Sequence, residues 1–211
     1  MKVISFAHDK GGVGKSTTII NVAPVLEKEF KLTVIDLDPK KQFTTFNNHR
    51  ENKINMVTVS SINDLVEFIS NSKDELVLID LGGFDSDFFR TALMISDIII
   101  VPLSGSDNDI VGFADFENIL LSVISEQKKN GIDIDCTILA NRIHHNNKSD
   151  FEVLSNRAKE LNFNIFNTII RNSSVYSKMI LSGKSATEQT LTTPGLNVLS
   201  LVEEIKEKIK G

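Results

Sequence analysis

His8-Asp9-Lys10-Gly11-Gly12-Val13-Gly14-Lys15-Ser16-Thr17 separates a short apolar run, residues 3–7, from a segment where Ile19, Ile20, Val22, Ala23, Leu26 and Phe30 recur at helical spacing. Strand, glycine loop and helix in that order is what a phosphate-binding unit requires. Glycines at 11, 12 and 14 free the backbone so that successive N–H groups can face a polyphosphate. A helix starting near Lys15 adds the positive end of its dipole to the same place. In such a loop Lys15 reaches the β and γ phosphates, and the Ser16 hydroxyl binds Mg²⁺.

Working outward, apolar strand-like runs alternate with helical patterns. Residues 32–37, 56–59, 76–79, 97–103 and 133–140 read as strands. Residues 62–69, 109–129, 151–161, 175–181 and 196–209 read as helices, with a polar break at 71–75. That alternation implies an α/β fold with a mostly parallel sheet and helices on both faces. No repeat or proline-rich linker divides the chain, and the polar stretch 144–149 reads as an exposed loop. The expectation is one domain over residues 1–211.

Composition narrows the function classes. The chain has 211 residues, 41% hydrophobic and 24% charged, which is ordinary for a globular protein. Its apolar runs are strand-sized, well short of the roughly 20 residues a membrane span needs. The run from Met1-Lys2 into a strand leaves no room for a signal peptide, so a cytoplasmic location is expected. The one cysteine, Cys136, lies in an apolar stretch and reads as a buried thiol. The net charge of −5 argues against constitutive nucleic-acid binding, so any DNA contact needs a local basic surface.

Lys10-Gly11-Gly12-Val13-Gly14-Lys15-Ser16-Thr17 has Asp9 where the general P-loop has glycine. It resembles the deviant Walker A loop of the ParA/MinD family of P-loop NTPases, whose additional signature lysine falls at Lys10. The resemblance implies that Lys10 reaches the partner's phosphates across a nucleotide-sandwich dimer, as an arginine finger does. Val34-Ile35-Asp36-Leu37-Asp38-Pro39 resembles the family's second acidic motif, which implies Asp36 near the metal and Asp38 orienting the attacking water. Leu76-Val77-Leu78-Ile79-Asp80 resembles its Walker B strand, with Asp80 holding Mg²⁺ through water and Gly82-Gly83 beside the γ-phosphate. The family often has proline after Walker B, whereas this chain has Leu81-Gly82-Gly83-Phe84, a departure in the local switch. Asn141-Arg142 match the place where the family contacts adenine. The implied nucleotide contacts are therefore Lys10 to Thr17 (Gly11, Gly12, Val13, Gly14, Lys15 and Ser16 between them), Asn141 and Arg142. Lys10, Lys15 and Asp38 are the implied catalytic group, and Ser16, Asp36 and Asp80 the metal group. Any one Asp at a strand end is more often a helix cap or turn residue, but three in order after a P-loop are better explained together.

The resemblance covers the whole chain and is nearest to short plasmid-type ParA proteins without an N-terminal DNA-reading domain. It implies an ATPase using ATP and Mg²⁺ that forms a homodimer when ATP is bound. It further implies non-specific DNA binding, stimulation by a ParB-like centromere-binding adaptor, and a nucleoid-associated location. Between residues 157 and 184 the basic residues are Arg157, Lys159, Arg171, Lys178 and Lys184, against one acidic residue, Glu160. Arg171, Lys178 and Lys184 resemble the family's late DNA-backbone contacts. The alternative is MinD-like positioning on a membrane or another cellular body. Against it, Val198, Val202, Ile205 and Ile209 form a stripe suited to core packing, and the lysines of that helix are balanced by Glu203, Glu204 and Glu207. His144 and His145 lack metal-binding partners in sequence. Phe43, Phe46, Phe84, Phe88 and Phe89 are expected in the core, or else beside the site or a dimer contact.

Overall fold

Along each central strand alternate side chains go to opposite faces of one sheet. Ile4, Phe6, Leu76, Leu78, Ile98 and Ile100 enter one apolar cluster, while Val3, Val77, Ile79, Ile99 and Val101 enter the other. Each fully buried aliphatic side chain contributes roughly 1.5–3 kcal/mol, so strands apolar on both sides are stable only between two helical layers. The chain is seen in a computed structural model that describes residues 1–83, 86–144, 149–189 and 192–211.

The strands are β1 (Lys2–Phe6), β2 (Leu32–Asp36), β3 (Met56–Val57), β4 (Leu76–Asp80), β5 (Ile98–Leu103), β6 (Asp135–Ile143), β7 (Asn164–Ile165) and β8 (Ile170–Arg171). Their order is β3-β2-β4-β1-β5-β6-β7, with β8 also on β6, and every pairing is parallel. The expected parallel α/β sheet is what forms. β1 lies between β4 and β5, so the order reverses around it, and ligands of open α/β sheets bind at such a reversal. The register places Phe6 beside Asp80 and Asp80 beside Asp36, so the loop after β1 and two carboxylates share one edge.

The helices are α1 (Lys15–Leu26), α2 (Gln42–Asn48), α3 (Ile62–Asn71), α4 (Asp87–Met94), α5 (Asp107–Lys129), α6 (Ser149–Leu161), α7 (Met179–Ser182) and α8 (Thr193–Lys210). Local caps start several of them. Ser61 and Asp64 form a reciprocal box at α3, Ser86 accepts from Phe89 N at α4, and Thr192 accepts from Gly195 N at α8. Helix α1 is buried almost all round because α8 lies across it. Val198, Val202 and Ile205 are at most 2% exposed, so that apolar stripe is used in the core.

Two helices have no counterpart in the sequence reading. Gln-Phe-Thr-Thr-Phe-Asn-Asn is a poor helix former by propensity, yet α2 forms because Phe43 and Phe46 are fully buried on one side. Helix α4 lies just after residues outside the described set, Phe84 among them. The expected helix 175–181 is instead a 3₁₀ turn (Ser174–Lys178) followed by α7. Phe43, Phe46 and Phe89 are core residues, Phe88 is partly exposed, and His145 lies outside the described residues. No helix among the described residues is long and apolar enough to cross a membrane.

Candidate functional site

The loop from β1 to α1 takes its shape from two glycines and from the end of β6. Gly12 and Gly14 have φ of 83° and 105°, which side-chain-bearing residues rarely adopt. Gly14 is doubly constrained, because a Cβ there would lie 2.1 Å from Asn141 Nδ2. Asn141 Nδ2 donates to Val13 O at 2.7 Å, and the Arg142 guanidinium donates to Gly12 O. Arg142 is itself left-handed, in a register shift between Asn141 and Ile143, and that bulge turns it toward the loop. Both residues therefore hold the loop's carbonyls. Its N–H groups are left for a ligand.

Lys15 and Ser16, opening α1, are 4% and 5% exposed. Lys15 Nζ donates to His8 O at 2.9 Å and to Lys10 O at 3.0 Å, curling back over its own loop. Burial lowers the Lys15 pKa, and the carboxylates of Asp80, Asp38 and Asp9 oppose that. His8, the first residue of the loop, has a structural place that local sequence does not show. The structure buries it completely, stacked on Phe116 with its Nδ1 3.0 Å from Lys10 N and 2.8 Å from Asp9 Oδ1. Burial pushes its pKa down to about 4, against the pull of Asp9.

Asp80 carries the clearest sign of an electrophilic ligand. Both its oxygens are buried and neither has a hydrogen-bond partner in normal geometry. Burial pushes its pKa up to about 8. The nearby Ser16 hydroxyl offsets part of this, while the charges of Asp36 and Asp38 add to it. An orphaned buried carboxylate is costly unless something positive faces it, and a divalent cation beside Ser16 fits. Among the described residues no group of three or more His, Cys, Asp or Glu could hold a metal. Mg²⁺ in phosphate sites takes one or two protein ligands and completes its shell with water and phosphate oxygens.

The expected metal neighbour Asp36 sits beside Asp80, but its carboxylate is already engaged. Its Oδ2 accepts from Thr44 N and Oγ1 at 2.9 and 2.7 Å, and its Oδ1 accepts from Asp38 N at 3.1 Å. In this structure Asp36 caps α2. Asp38 Oδ1 accepts from Lys40 N at 2.8 Å, a turn that holds residues 38–41. A cleft of about 380 Å³ runs between these elements, lined by Gly11, Lys15, Thr17, Asp38, Lys40 and Gly83 among others. Lys40 was not singled out from sequence, although its place just after Asp38-Pro39 was the available signal.

The Gly82-Gly83 step, where the sequence departs from the family pattern it otherwise resembles, is a close-packed wedge. A Cβ on Gly82 would lie 2.8 Å from Pro39 Cδ, and one on Gly83 2.6 Å from Asp9 O. Only glycines let this strand end touch both the glycine loop and the Asp38 loop. Phe84, next in sequence, lies outside the described residues.

Lys10 does not enter its own cleft. Its Nζ sits 2.6 Å from Asp109 Oδ1, on the first turn of α5, and its side chain is 42% exposed. The late basic residues divide. Arg157 is bound to Glu117 and Glu160, whereas Lys178 and Lys184 are exposed. Arg171 is half-buried, with Nη1 3.4 Å from His144 O. Cys136 is buried and its pKa is raised, the expected inert thiol.

Comparison with known proteins gives a consistent picture. An AAA domain family model matches residues 1–79. The protein ParA of Rhizobium radiobacter is 30% identical over 108 residues, which is 49% of each chain, so the match spans about half of that relative. Among solved structures, the MinD cell division protein of Aquifex aeolicus superposes with a TM-score of 0.74 at 16% identity, covering 98% of this chain and 97% of that one. A putative plasmid partition protein of Borrelia burgdorferi bound to AMPPNP gives 0.74 at 18%, covering 98% and 99%. At such identities the two structures speak for the fold.

Proposed function

We propose that this chain is a P-loop protein of the ParA/MinD family and, within it, an Mg²⁺-dependent DNA-partitioning ATPase. The observation that carries the ATPase reading is the orphaned, fully buried carboxylate of Asp80 beside Ser16 and Lys15, two residues that line the cleft. A relative called ParA and a plasmid partition protein of the same fold support the cargo reading.

In this reading the N–H groups of residues 11–17 take the polyphosphate, and Lys15 leaves the carbonyls of His8 and Lys10 to meet it. Asn141 and Arg142 brace the loop next to the base. Ser16 and Asp80 would hold Mg²⁺, with Asp36 beside Asp80 on the neighbouring strand, and the ion would neutralise charge on the phosphate oxygens. Asp38 exchanges its turn for a water positioned in line with the γ-phosphate. Lys10, on the outer rim, completes the site of a second copy, so turnover waits on dimerisation. Lys178, Lys184 and Arg171 then bind DNA phosphates without reading sequence. A centromere-bound adaptor stimulates hydrolysis and release.

The test is retention on non-specific duplex DNA with ATP, with ADP and without nucleotide, for wild type, Arg171→Ala and Lys178→Ala/Lys184→Ala. ATP-dependent, salt-sensitive retention that the substitutions weaken is expected. No retention in any state, with ATP-driven dimerisation intact, would overturn the DNA reading. Binding to anionic liposomes in a parallel assay would move the assignment to the membrane alternative.

A further inference from the structure

The segment that carries Lys178 and Lys184 is fastened to both helices at the nucleotide cleft. On the α1 side, Ala186 N donates to Asn21 Oδ1 at 2.9 Å, and Asn21 Nδ2 donates to Thr17 O at 2.7 Å. On the α2 side stands Arg50, two residues beyond the helix end. It donates to both oxygens of Glu188, at 2.7 and 2.8 Å, and to Gly183 O at 3.2 Å. Its side chain is 5% exposed and its guanidinium lies 5.2 Å over the Phe46 ring. Gly183 presses so closely on the end of α2 that a Cβ would meet His49 O at 2.3 Å.

This is more apparatus than stability requires. A buried ion pair is on average no more stabilising than apolar residues of the same size. What a two-pronged arginine–carboxylate pair adds is fixed relative geometry. Glu188 is itself fixed, since Ser185 N and Oγ both donate to its Oε2 at 2.9 Å. The opposite end of α2 is fixed too, by the two bonds from Thr44 to Asp36 in the loop that carries Asp38. Helix α2 is thus a short strut with one end at the cleft and the other at the basic segment.

We propose that Arg50 is a positioning residue that couples the nucleotide cleft to residues 178–188. A shift of the 36–40 loop on binding Mg-ATP moves α2, and the Arg50–Glu188 pair passes that movement to the backbone bearing Lys178 and Lys184. The consequence for DNA rests on the function proposed above; the mechanical link does not.

The test compares wild type with Arg50→Met/Glu188→Gln, which removes both members of the fork together and leaves one further partner of Arg50, Glu27 at 3.6 Å and 30% exposed, to be met by solvent. Hydrogen–deuterium exchange of residues 178–188 is measured without nucleotide and with Mg-ATP, alongside the thermal midpoint, ATP affinity and DNA retention. Exchange that slows with Mg-ATP in wild type but not in the variant, at unchanged ATP affinity, is the expected result. ATP-dependent DNA retention should then fall at least tenfold in the variant, with its salt slope kept because Lys178 and Lys184 remain. Arg50→Lys, with one point charge in place of the fork, should give intermediate exchange. Exchange indifferent to Mg-ATP in wild type, or equally responsive in the variant, overturns the coupling. Wild type that fails to retain DNA while the exchange result holds overturns the DNA reading and leaves the coupling standing.

Discussion

Lys10 and Asp109, 99 positions apart in sequence, form an ion pair of 2.6 Å that holds the lysine against the first turn of α5. Ser104 Oγ donates to the other oxygen of Asp109, which keeps the carboxylate in place. If Lys10 serves a second copy of the chain, this pair must open first. Exposed pairs are worth about 0.2–1 kcal/mol, so the hold is weak by design or by accident. Asp109→Asn is expected to raise ATP-dependent dimerisation and basal turnover by up to about fivefold, read by light scattering and phosphate release. Lys10→Ala should bind ATP and lose turnover. Unchanged rates in Asp109→Asn would show that the pair does not restrain Lys10.

Asp80 should destabilise the nucleotide-free protein. Its pKa is raised on folding, to about 8, so its contribution is fully present below the unfolded value near 4 and is lost as pH rises toward 8. Asp80→Asn is therefore expected to raise the thermal midpoint of the free protein at pH 7–8 and to have little effect near pH 4. The gain at pH 7 is on the order of a few kcal/mol. The same variant should lose the stabilisation that Mg-ATP gives wild type. A lower midpoint at pH 8 would contradict the buried-charge reading.

His8 acts in the opposite sense. Its pKa falls to about 4 on folding, so it contributes stability above its unfolded value near 6.5, and that is lost as pH drops through 4. His8→Gln should flatten this part of the pH–stability profile, measured by denaturant titration between pH 4 and 7. It also removes the stacking on Phe116, so its midpoint at pH 7 should be lower than that of wild type.

Gly14→Ala meets two obstacles, φ of 105° and the Asn141 amide 2.1 Å from the new methyl. Loss of ATP binding by at least about tenfold is expected, since either obstacle costs on the order of 1–2 kcal/mol. Adding Asn141→Ser should relieve the contact and leave the backbone strain, so isothermal titration should show only partial recovery.

Each phosphate neutralised by the basic segment contributes about 0.9 to the salt slope of DNA affinity. Lys178→Ala/Lys184→Ala should lower the slope by roughly twice that per protomer, and so by about four times that for a dimer, if both lysines touch phosphate. Arg171→Ala should act more weakly, because its guanidinium already leans on His144 O.

The chain order alone determined the α/β plan and most of the phosphate site. Apolar strands such as residues 76–79 can be buried only inside a sheet covered on both faces, and Gly11, Gly12, Gly14, Lys15 and Ser16 carry their chemistry in consecutive positions. Local pattern could not show what depends on partners far along the chain. Helix α2 lacks helical propensity and is fixed by burial of Phe43 and Phe46 and by Asp36. Asp36, Asp38 and Asp80 look alike at their strand ends. Tertiary contacts alone separate a carboxylate saturated by Thr44 from one tied into a turn and one left bare in the interior. The grip of Asp109 on Lys10 and of Glu188 on Arg50 joins residues 99 and 138 positions apart. Such pairs follow from how the layers pack, because hydrogen bonds and charges act over a few ångströms of space whatever their separation along the chain.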